Sequence, residues 1–332
     1  MNMTKMFFLL IIMMSSLITI SSENWMGMWM GLEINLMAFI PFISKSKNKS
    51  SSQAMMIYFL TQSMGSITFL FSILLNSMLF MSPLFIEELV KMMIMISLMI
   101  KVGAAPFHMW LPEMMTNLNW IECMMLMTWQ KLAPLVIMNN MIPNNVFIYI
   151  SSIMSAAFGA IGGINQTSLR KIMAYSSINH LGWMLMFMSM SSLWYKYLMI
   201  YSMMVIAACL MFKMKNSYFI NQINSSSYSL MEKYSYVMLM LSLGGLPPFL
   251  GFLPKLMVIQ MMSNSGLNLL LLLMMLFSLI TLFFYMRMMT PMILSYITIN
   301  KWNFPALNNK LFLLMIITMN LSLPLISVFS FF

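Results

Sequence analysis

Four charged residues lie inside long apolar stretches of the chain: Glu33, Lys101, Lys131 and Lys255. A charge at the centre of a membrane helix costs about 2.5 to 3.5 kcal/mol on insertion scales. Ionisable groups that are kept at this cost commonly mark ion pathways or proton relays. Lysine suits proton transfer better than arginine, because burial can bring the release of a lysine proton close to neutral pH. The alternative interpretations are lysines that extend to the membrane surface and a structural ion pair.

Two of these lysines lie beside prolines. Lys131 is in MTWQKLAP, where Pro134 cannot donate to the carbonyl group of Gln130 and also crowds it. We expect this carbonyl to hold a water molecule or an ammonium group beside Lys131. Lys255 follows Pro254 and is expected to lie near the start of the second half of an interrupted helix. The N-terminal end of that half-helix carries a partial positive charge, which disfavours the charged form of the lysine.

The remaining two charges have opposite signs. Glu33 lies in WMGLEINLMAFIP, and Lys101 directly precedes a segment that contains glycine and proline. If the two side chains are neighbours, each stabilises the charged form of the other, whereas burial favours both neutral forms. Such a pair can act as a switch, because separation of the charges lets the lysine release its proton.

The chain contains two histidines, His108 and His180. Histidine titrates near neutral pH, so both are candidates for a proton relay. The alternative for each is a polar core histidine that is hydrogen-bonded to a hydroxyl group.

Two short segments match each other at a constant offset of 142 residues: Gly103–Glu113 (GAAPFHMWLPE) and Gly245–Lys255 (GLPPFLGFLPK). Each segment interrupts an apolar stretch that is long enough to cross a membrane. A broken helix leaves backbone groups unpaired at membrane depth, which is tolerated only against protein or a water-filled cavity. A repeated Gly/Pro interruption in two membrane helices is a strong sequence pointer to a transport site. The chain is therefore predicted to move an ion.

The composition determines the class of fold that positions these residues. Hydrophobic residues make up 61% of the 332 residues and charged residues 7%, against about 25% in soluble domains. This predicts an all-α polytopic membrane protein, with about eleven transmembrane helices separated by polar or proline-containing segments. The expected helices are 3–20, 25–43, 54–80, 89–111, 121–141, 146–165, 171–190, 194–212, 234–261, 267–289 and 311–331.

The repeat offset corresponds to about five of these helices. Because five is odd, the second copy would enter the membrane in the opposite direction, which predicts an inverted repeat. We therefore expect a single membrane domain, 1–332, with a first repeat over 1–141 and a second over 146–289. A loop and a C-terminal helix would follow over 290–332, and each repeat would contain one broken helix.

The basic residues are distributed unequally between the two expected sides of the membrane. Twelve fall on the side of the N-terminus and two, Lys91 and Lys196, on the opposite side. This asymmetry predicts that the N-terminus faces the matrix or cytoplasm. The twelve are Lys5, Lys45, Lys47, Lys49, Arg170, Lys171, Lys213, Lys215, Lys233, Arg287, Lys301 and Lys310. The net charge of +10 is thus explained by topology, and no nucleic-acid partner is expected.

No cofactor site is recognisable in the sequence. The two cysteines, Cys123 and Cys209, are far apart, and there is no CxxC, haem-attachment or GxGxxG motif. The chain is therefore expected to bind no metal and no redox cofactor, and to depend on other subunits for any redox chemistry.

Five motifs, in order from Trp25 to Lys255, give the chain a resemblance to the chain 2 family of mitochondrial NADH–ubiquinone oxidoreductase, respiratory complex I. They are WMGLEINLMAFIP, KVGAAPFHMWLPE, MTWQKLAP, QTSLRKIMAYSSINHLGWM and SLGGLPPFLGFLPK. The 51 methionines and the absence of aspartate fit an AT-rich animal mitochondrial gene. This family is similar to the subunits of bacterial Na⁺/H⁺ antiporters, which contain two inverted five-helix repeats.

The resemblance implies a role for each buried charge. Glu33 would be the carboxylate of the first repeat, paired with Lys101 on the first broken helix. Lys131 would be the central lysine of a half-channel, and Lys255 the terminal lysine on the second broken helix. Lys131 would pass a proton toward Lys255, gated by the Glu33–Lys101 pair.

The resemblance also implies a proton-translocating membrane-arm subunit of NADH:ubiquinone reductase in the mitochondrial inner membrane. Its N-terminus would lie on the matrix side and its C-terminus in the intermembrane space. NADH, FMN, iron–sulfur clusters and ubiquinone would be bound by other subunits, and no cofactor by this chain. The expected partners are other membrane-arm subunits, phospholipids and protons.

Two alternatives are weighed against this interpretation. A secondary Na⁺/H⁺ antiporter subunit would need a site rich in carboxylates, whereas this chain has one buried glutamate and no aspartate. A structural subunit that no longer pumps would be expected to have lost one or more of the four buried charges, yet all four are present.

Overall fold

The structure, a computed structural model, describes residues 3–44, 49–78, 83–141, 145–191, 193–225, 230–294 and 310–324. Lys45, Lys47 and Lys301, which contribute to the predicted charge asymmetry, lie outside these ranges, and so does the end of the predicted last helix. Within the described ranges the regular structure is helical, apart from one isolated bridge between Ser168 and Phe219.

Helices follow one another along the described ranges, joined mostly by short connections. In chain order they are α1 (Met3–Ser21), α2 (Trp25–Ile43), α3 (Lys49–Met78), α4 (Pro83–Val102), α5 (Trp110–Asn117), α6 (Trp120–Met127), α7 (Trp129–Asn140), α8 (Asn145–Gly163), α9 (Leu169–Met190), α10 (Trp194–Met214), α11 (Ile220–Ser225), α12 (Leu230–Gly244), α13 (Phe252–Asn264), α14 (Asn268–Leu294) and α15 (Lys310–Asn320).

Seven segments of the described ranges are long and apolar enough to cross a membrane. They are Met3–Ser21, Trp25–Ile43, Lys49–Asn76, Trp120–Asn140, Val146–Gly163, Trp194–Met214 and Asn268–Leu294. The helices between them are shorter or more polar. Helix α9, for example, buries Ser176, Ser177, Asn179 and His180 along its middle. The prediction of an all-α polytopic membrane protein is confirmed.

The predicted helices 89–111 and 234–261 each appear as two shorter helices. The first consists of α4 and α5, and the second of α12 and α13. The second halves begin at Trp110 and Phe252, two aromatic residues separated by the repeat offset of 142. Both predicted interruptions are therefore present, and each falls within its glycine- and proline-containing segment.

A further interruption, which the sequence did not predict, divides the expected helix 121–141 at Thr128. Helix α6 ends at Met127 and α7 begins at Trp129. The Thr128 hydroxyl donates to the Met124 carbonyl at 2.7 Å. A hydroxyl bonded back to the preceding turn bends a helix. Lys131 therefore lies in the first turn of α7, and it is still near the middle of the apolar segment Trp120–Asn140.

The chain divides into two compact units, Met1–Ser151 and Ser152–Phe332. Ion pairs join helix ends within each. In the N-terminal unit Lys5 Nζ of α1 lies 2.9 Å from Glu122 Oε1 of α6, so these two helices begin at the same end of the unit. In the C-terminal unit Lys215 Nζ lies 2.8 Å from Glu232 Oε2, which joins the end of α10 to the beginning of α12. Both arrangements agree with the predicted alternation of helix directions.

Candidate functional site

The interruption in the N-terminal unit is a helix end formed around Gly103. Its φ angle of +77° lies in the left-handed region, which glycine adopts without a steric penalty. The amide groups of Gly103 and Ala104 both donate to the carbonyl of Met99, at 2.9 and 3.1 Å. This pattern ends α4 at Val102, one residue after Lys101. Lys101 therefore lies on the last turn of α4, directly before the interruption, as predicted.

Two side chains from other helices hold the end of α4. Gln62 of α3 donates from Nε2 to the Lys101 carbonyl at 3.0 Å, and Trp110 of α5 donates from Nε1 to the Ile100 carbonyl at 3.1 Å. The last carbonyl groups of a helix have no partner within the helix, so these bonds satisfy groups that would otherwise be buried and unpaired.

Lys101 and Lys131 line the same cavity inside the N-terminal unit. About 20 Å³ of this cavity is open to the centre of a water molecule, which is enough space for one water. Lys101 is 6% exposed and Lys131 1%, so neither side chain extends to the surface of the unit. The other residues that line the cavity are Leu32, Asn35, Tyr58, Gln62, Val102, Trp110, Leu126, Gln130 and Pro134.

Polar side chains connect the wall of this cavity. Gln130 Nε2 donates to Asn35 Oδ1 at 2.9 Å, which joins α7 to α2. The Tyr58 hydroxyl of α3 lies 3.5 Å from Gln130 Oε1. A water between the two lysines would therefore meet amide and hydroxyl groups as well as ammonium groups, and such groups can pass or orient a proton.

Glu33 of α2 lies within electrostatic range of Lys101 and of Tyr58. Its Oε1 atom is buried and has no hydrogen-bond partner among the described residues. No ion pair joins Glu33 to Lys101, both of which are described, so their pairing stays a prediction that rests on the electrostatic interaction. A buried carboxylate oxygen without a hydrogen-bond partner is costly.

The interruption in the C-terminal unit is formed in the same way around Gly245. Its φ angle is +78°, and the amides of Gly245 and Leu246 donate to the carbonyl of Leu241 at 3.1 and 3.3 Å. Lys255 lies in the first turn of α13, after the interruption, and its Nζ donates to the carbonyl of Gly244 at 2.7 Å. The ammonium group is therefore bound to a backbone group at the end of α12.

The two histidines are buried in separate environments. In the N-terminal unit, His108 Nδ1 lies 3.2 Å from the Pro106 carbonyl. In the C-terminal unit, His180 Nδ1 and the Tyr197 hydroxyl are hydrogen-bonded at 2.9 Å, and the Tyr201 ring lies 4.8 Å from the His180 ring. A hydroxyl partner was the alternative considered for each histidine, and the structure has it for His180.

The sequence analysis missed Gln62, Asn35, Tyr58 and Gln130 as members of the site. Each is an uncharged polar residue in a helix that also contains many apolar residues, and only Gln130 was noted, for its carbonyl group. The available signal was the cost of placing an amide in a membrane segment, which applies to buried amides as well as to charges. No cluster of three or more His, Cys, Asp or Glu side chains that could hold a metal ion occurs in the described part of the chain.

Comparison with known proteins shows the family to which the chain belongs. Residues 22–281, which contain both interruptions, match the family described as NADH:quinone oxidoreductase/Mrp antiporter, transmembrane. The chain is 45% identical to NADH-ubiquinone oxidoreductase chain 2 of Locusta migratoria, over 99% of this chain and 94% of the relative. It is 43% identical to the chain of the same name in Anopheles gambiae, over 92% and 90% of the two chains.

The fold also matches a solved structure. A chain in the structure of respiratory complex I from Thermus thermophilus with bound aureothin superimposes with a TM-score of 0.84. The match covers 98% of this chain and 79% of that chain, at 17% sequence identity. At this identity the likeness concerns the fold, which is an antiporter-like arrangement of membrane helices.

Proposed function

We propose that this chain, which belongs to the family of NADH–ubiquinone oxidoreductase chain 2, moves protons through its buried lysines. It is a proton-translocating membrane-arm subunit of the complex that transfers electrons from NADH to ubiquinone. The observation that carries the mechanistic part is the cavity in the N-terminal unit, where Lys101 and Lys131 face the same space with Glu33 in electrostatic range.

In the proposed mechanism, quinone reduction in other subunits changes the electrostatic potential at Glu33. When Glu33 is charged it stabilises the ammonium form of Lys101, and when that influence is removed Lys101 gives up its proton more readily. A proton can then exchange between Lys101 and Lys131 through one water in the cavity. The change at Lys131 favours proton transfer toward Lys255, with His108 and His180 as candidate relay groups.

The proposed architecture is the inverted repeat, with a first copy over 1–141, a second over 146–289, and a loop and C-terminal helix over 290–332. Three features support it: the matched segments, the matched aromatic residues that start α5 and α13, and the two glycines with nearly equal φ angles. In an inverted repeat the two broken helices enter from opposite sides of the membrane, which suits a path with one entrance and one exit.

The proposed location is the mitochondrial inner membrane, with the N-terminus in the matrix and the C-terminus in the intermembrane space. The excess of lysine and arginine on the N-terminal side supports this orientation. The proposed partners are the other membrane-arm subunits, phospholipids that cover the exposed apolar faces of helices such as α1 and α14, and protons. NADH, FMN, iron–sulfur clusters and ubiquinone are assigned to other subunits of the complex.

The proton path is tested by the Lys131→Met variant in the assembled complex. Because methionine fills the space of the lysine stem, assembly should be preserved while NADH-driven acidification of membrane vesicles falls by about ten-fold or more. Lys49→Met is the matched control, since Lys49 is exposed at the start of α3. Normal pumping by an assembled Lys131→Met complex would exclude Lys131 from the path.

The Na⁺/H⁺ antiporter alternative is tested by separating detergent-solubilised complexes by size. Under the proposal, this chain migrates with a large assembly that oxidises NADH and reduces quinone. Migration in a small complex that exchanges Na⁺ for H⁺ without NADH would favour the antiporter.

A further inference from the structure

Two residues of α3, one turn apart, contact Lys101 of α4 from the same side. Gln62 donates a hydrogen bond to the Lys101 carbonyl, and Gly65 lies against the aliphatic part of the Lys101 side chain. Neither residue carries a charge, and the proton-transfer scheme does not otherwise use them. Both lie in the interior of α3, far from its ends.

Gln62 fixes the backbone of Lys101. Within α4 the Lys101 carbonyl would normally accept from the amide four residues later, but the chain has already left the helix there: the Gly103 and Ala104 amides both turn back to Met99. The side-chain amide of Gln62 supplies the missing donor at 3.0 Å. Gln62 also lines the cavity that contains Lys101 and Lys131.

Gly65 leaves the space in which the Lys101 side chain lies. A Cβ atom at residue 65 would lie 2.9 Å from Lys101 Cγ and 3.4 Å from Cε, and 3.2 Å from the Ser97 carbonyl oxygen. The first of these distances is too short for a contact between carbon atoms, so any side chain at residue 65 would displace the lysine stem. The lysine follows the surface of α3 because residue 65 has no side chain.

We propose that Gln62 and Gly65 of α3 are positioning residues, which hold Lys101 at the wall of the cavity it shares with Lys131. Gln62 fixes the starting point of the side chain, and Gly65 fixes its direction. The inference rests on the proposed function, because it assigns α3 an effect on proton transfer through Lys101. A displaced ammonium group would lie farther from the cavity water and transfer its proton more slowly.

The test measures vesicle acidification per NADH oxidised in the assembled complex of the Gly65→Ala variant. A misplacement of about 1 Å can cost about 100-fold in rate. We expect a roughly 3- to 10-fold loss, because the added methyl group meets the flexible lysine stem and displaces it by only part of that distance. The pH dependence of pumping should also shift, since the surroundings of Lys101 change. Gln62→Met, which keeps the length of the side chain but removes the donor, should give a loss in the same direction if Gly65→Ala fails to assemble. Met64→Ala is the control, because Met64 is 60% exposed and lies on the same turn of α3.

The decisive comparison adds each substitution to a Lys101→Met background. A residue that acts through Lys101 has no further effect once the lysine is gone, so the losses should not add. Additive losses, or an unchanged pH profile in both single variants, would overturn the positioning role while leaving the proposed function intact. Normal pumping by Lys101→Met alone would remove Lys101 from the proposed function, and the inference with it.

Discussion

The two interrupted helices end at the same kind of glycine but carry their lysines on opposite sides of the interruption. Gly103 and Gly245 have φ angles of +77° and +78°, and each donates to the carbonyl four residues earlier. Lys101 precedes its glycine by two residues, whereas Lys255 follows its glycine by ten. The same backbone geometry is thus combined with two different placements of the charge.

This difference changes what holds each lysine. The Lys255 ammonium group is bound to the Gly244 carbonyl at 2.7 Å, and its side chain covers Gly245, where a Cβ atom would meet it at 2.8 Å. Lys101 has no hydrogen bond from its ammonium group to any described residue, and α3 holds its stem and carbonyl instead. The interruption itself therefore binds the Lys255 ammonium group, whereas a neighbouring helix contacts Lys101 through its stem and its carbonyl group.

The two interruptions also differ in how closely the residues just before the second half-helix approach the first half-helix. At Gly251 a Cβ atom would overlap the carbonyl oxygen of Ser242 on α12. The matching position of the first interruption, at the offset of 142, is Met109, whose side chain is 64% exposed. The interruption in the C-terminal unit is thus tightly closed against its own helix, and at Met109 the first has room for a large side chain.

The largest expected effect comes from filling the tighter interruption. Gly251→Ala should reduce the amount of assembled complex by about ten-fold or more, because overpacking costs about 1 to 3 kcal/mol and occasionally more, and here the overlap is with backbone atoms that cannot move aside as a side chain can. Native gel electrophoresis with NADH oxidation as the stain measures this amount. Met109→Ala is the matched variant and should assemble normally. Normal assembly of Gly251→Ala would contradict the close approach of residue 251 to Ser242.

An intermediate effect is expected from removing each lysine in turn. Lys255→Met should abolish most pumping and also lower stability, because the buried Gly244 carbonyl loses its donor, at a cost of about 1 to 3 kcal/mol. Lys101→Met should reduce pumping less and leave stability nearly unchanged. Vesicle acidification measures the first property and the temperature of half-inactivation the second. Equal loss of stability in the two variants would show that the lysines are held in the same way.

The sequence predicted the interruptions better than it predicted their surroundings. Glycine and proline act through the local backbone, so the matched segments located both helix ends and placed Lys101 before and Lys255 after them. The break at Thr128 was missed, because a threonine that bonds back to the preceding turn usually bends a helix without ending it.

The contacts of Gln62 and Gly65 with Lys101 were missed for another reason. They depend on which face of α3 packs against α4, and the polar and apolar residues of α3 are spread around the helix without a clear period that would indicate that face. The same applies to the amide pair of Asn35 and Gln130, which are far apart in the chain. A buried charge can be recognised from the sequence because of its cost, whereas its neighbours are set by packing between helices.

The smallest expected effect concerns the ion pairs that join helix ends within each unit, Lys5–Glu122 and Lys215–Glu232. Glu122 keeps two hydrogen bonds from Asn119, from the backbone amide at 3.1 Å and from Nδ2 at 3.0 Å, if Lys5 is replaced. Lys5→Met should therefore cost only about 0.5 to 1 kcal/mol, as for other partly exposed pairs. The Lys215 side chain is 11% exposed against 22% for Lys5, so Lys215→Met should lower the temperature of half-inactivation further. If Lys5→Met lowered the temperature of half-inactivation more than Lys215→Met, the N-terminal unit would depend more on its ion pair than the C-terminal unit, which has the tighter interruption.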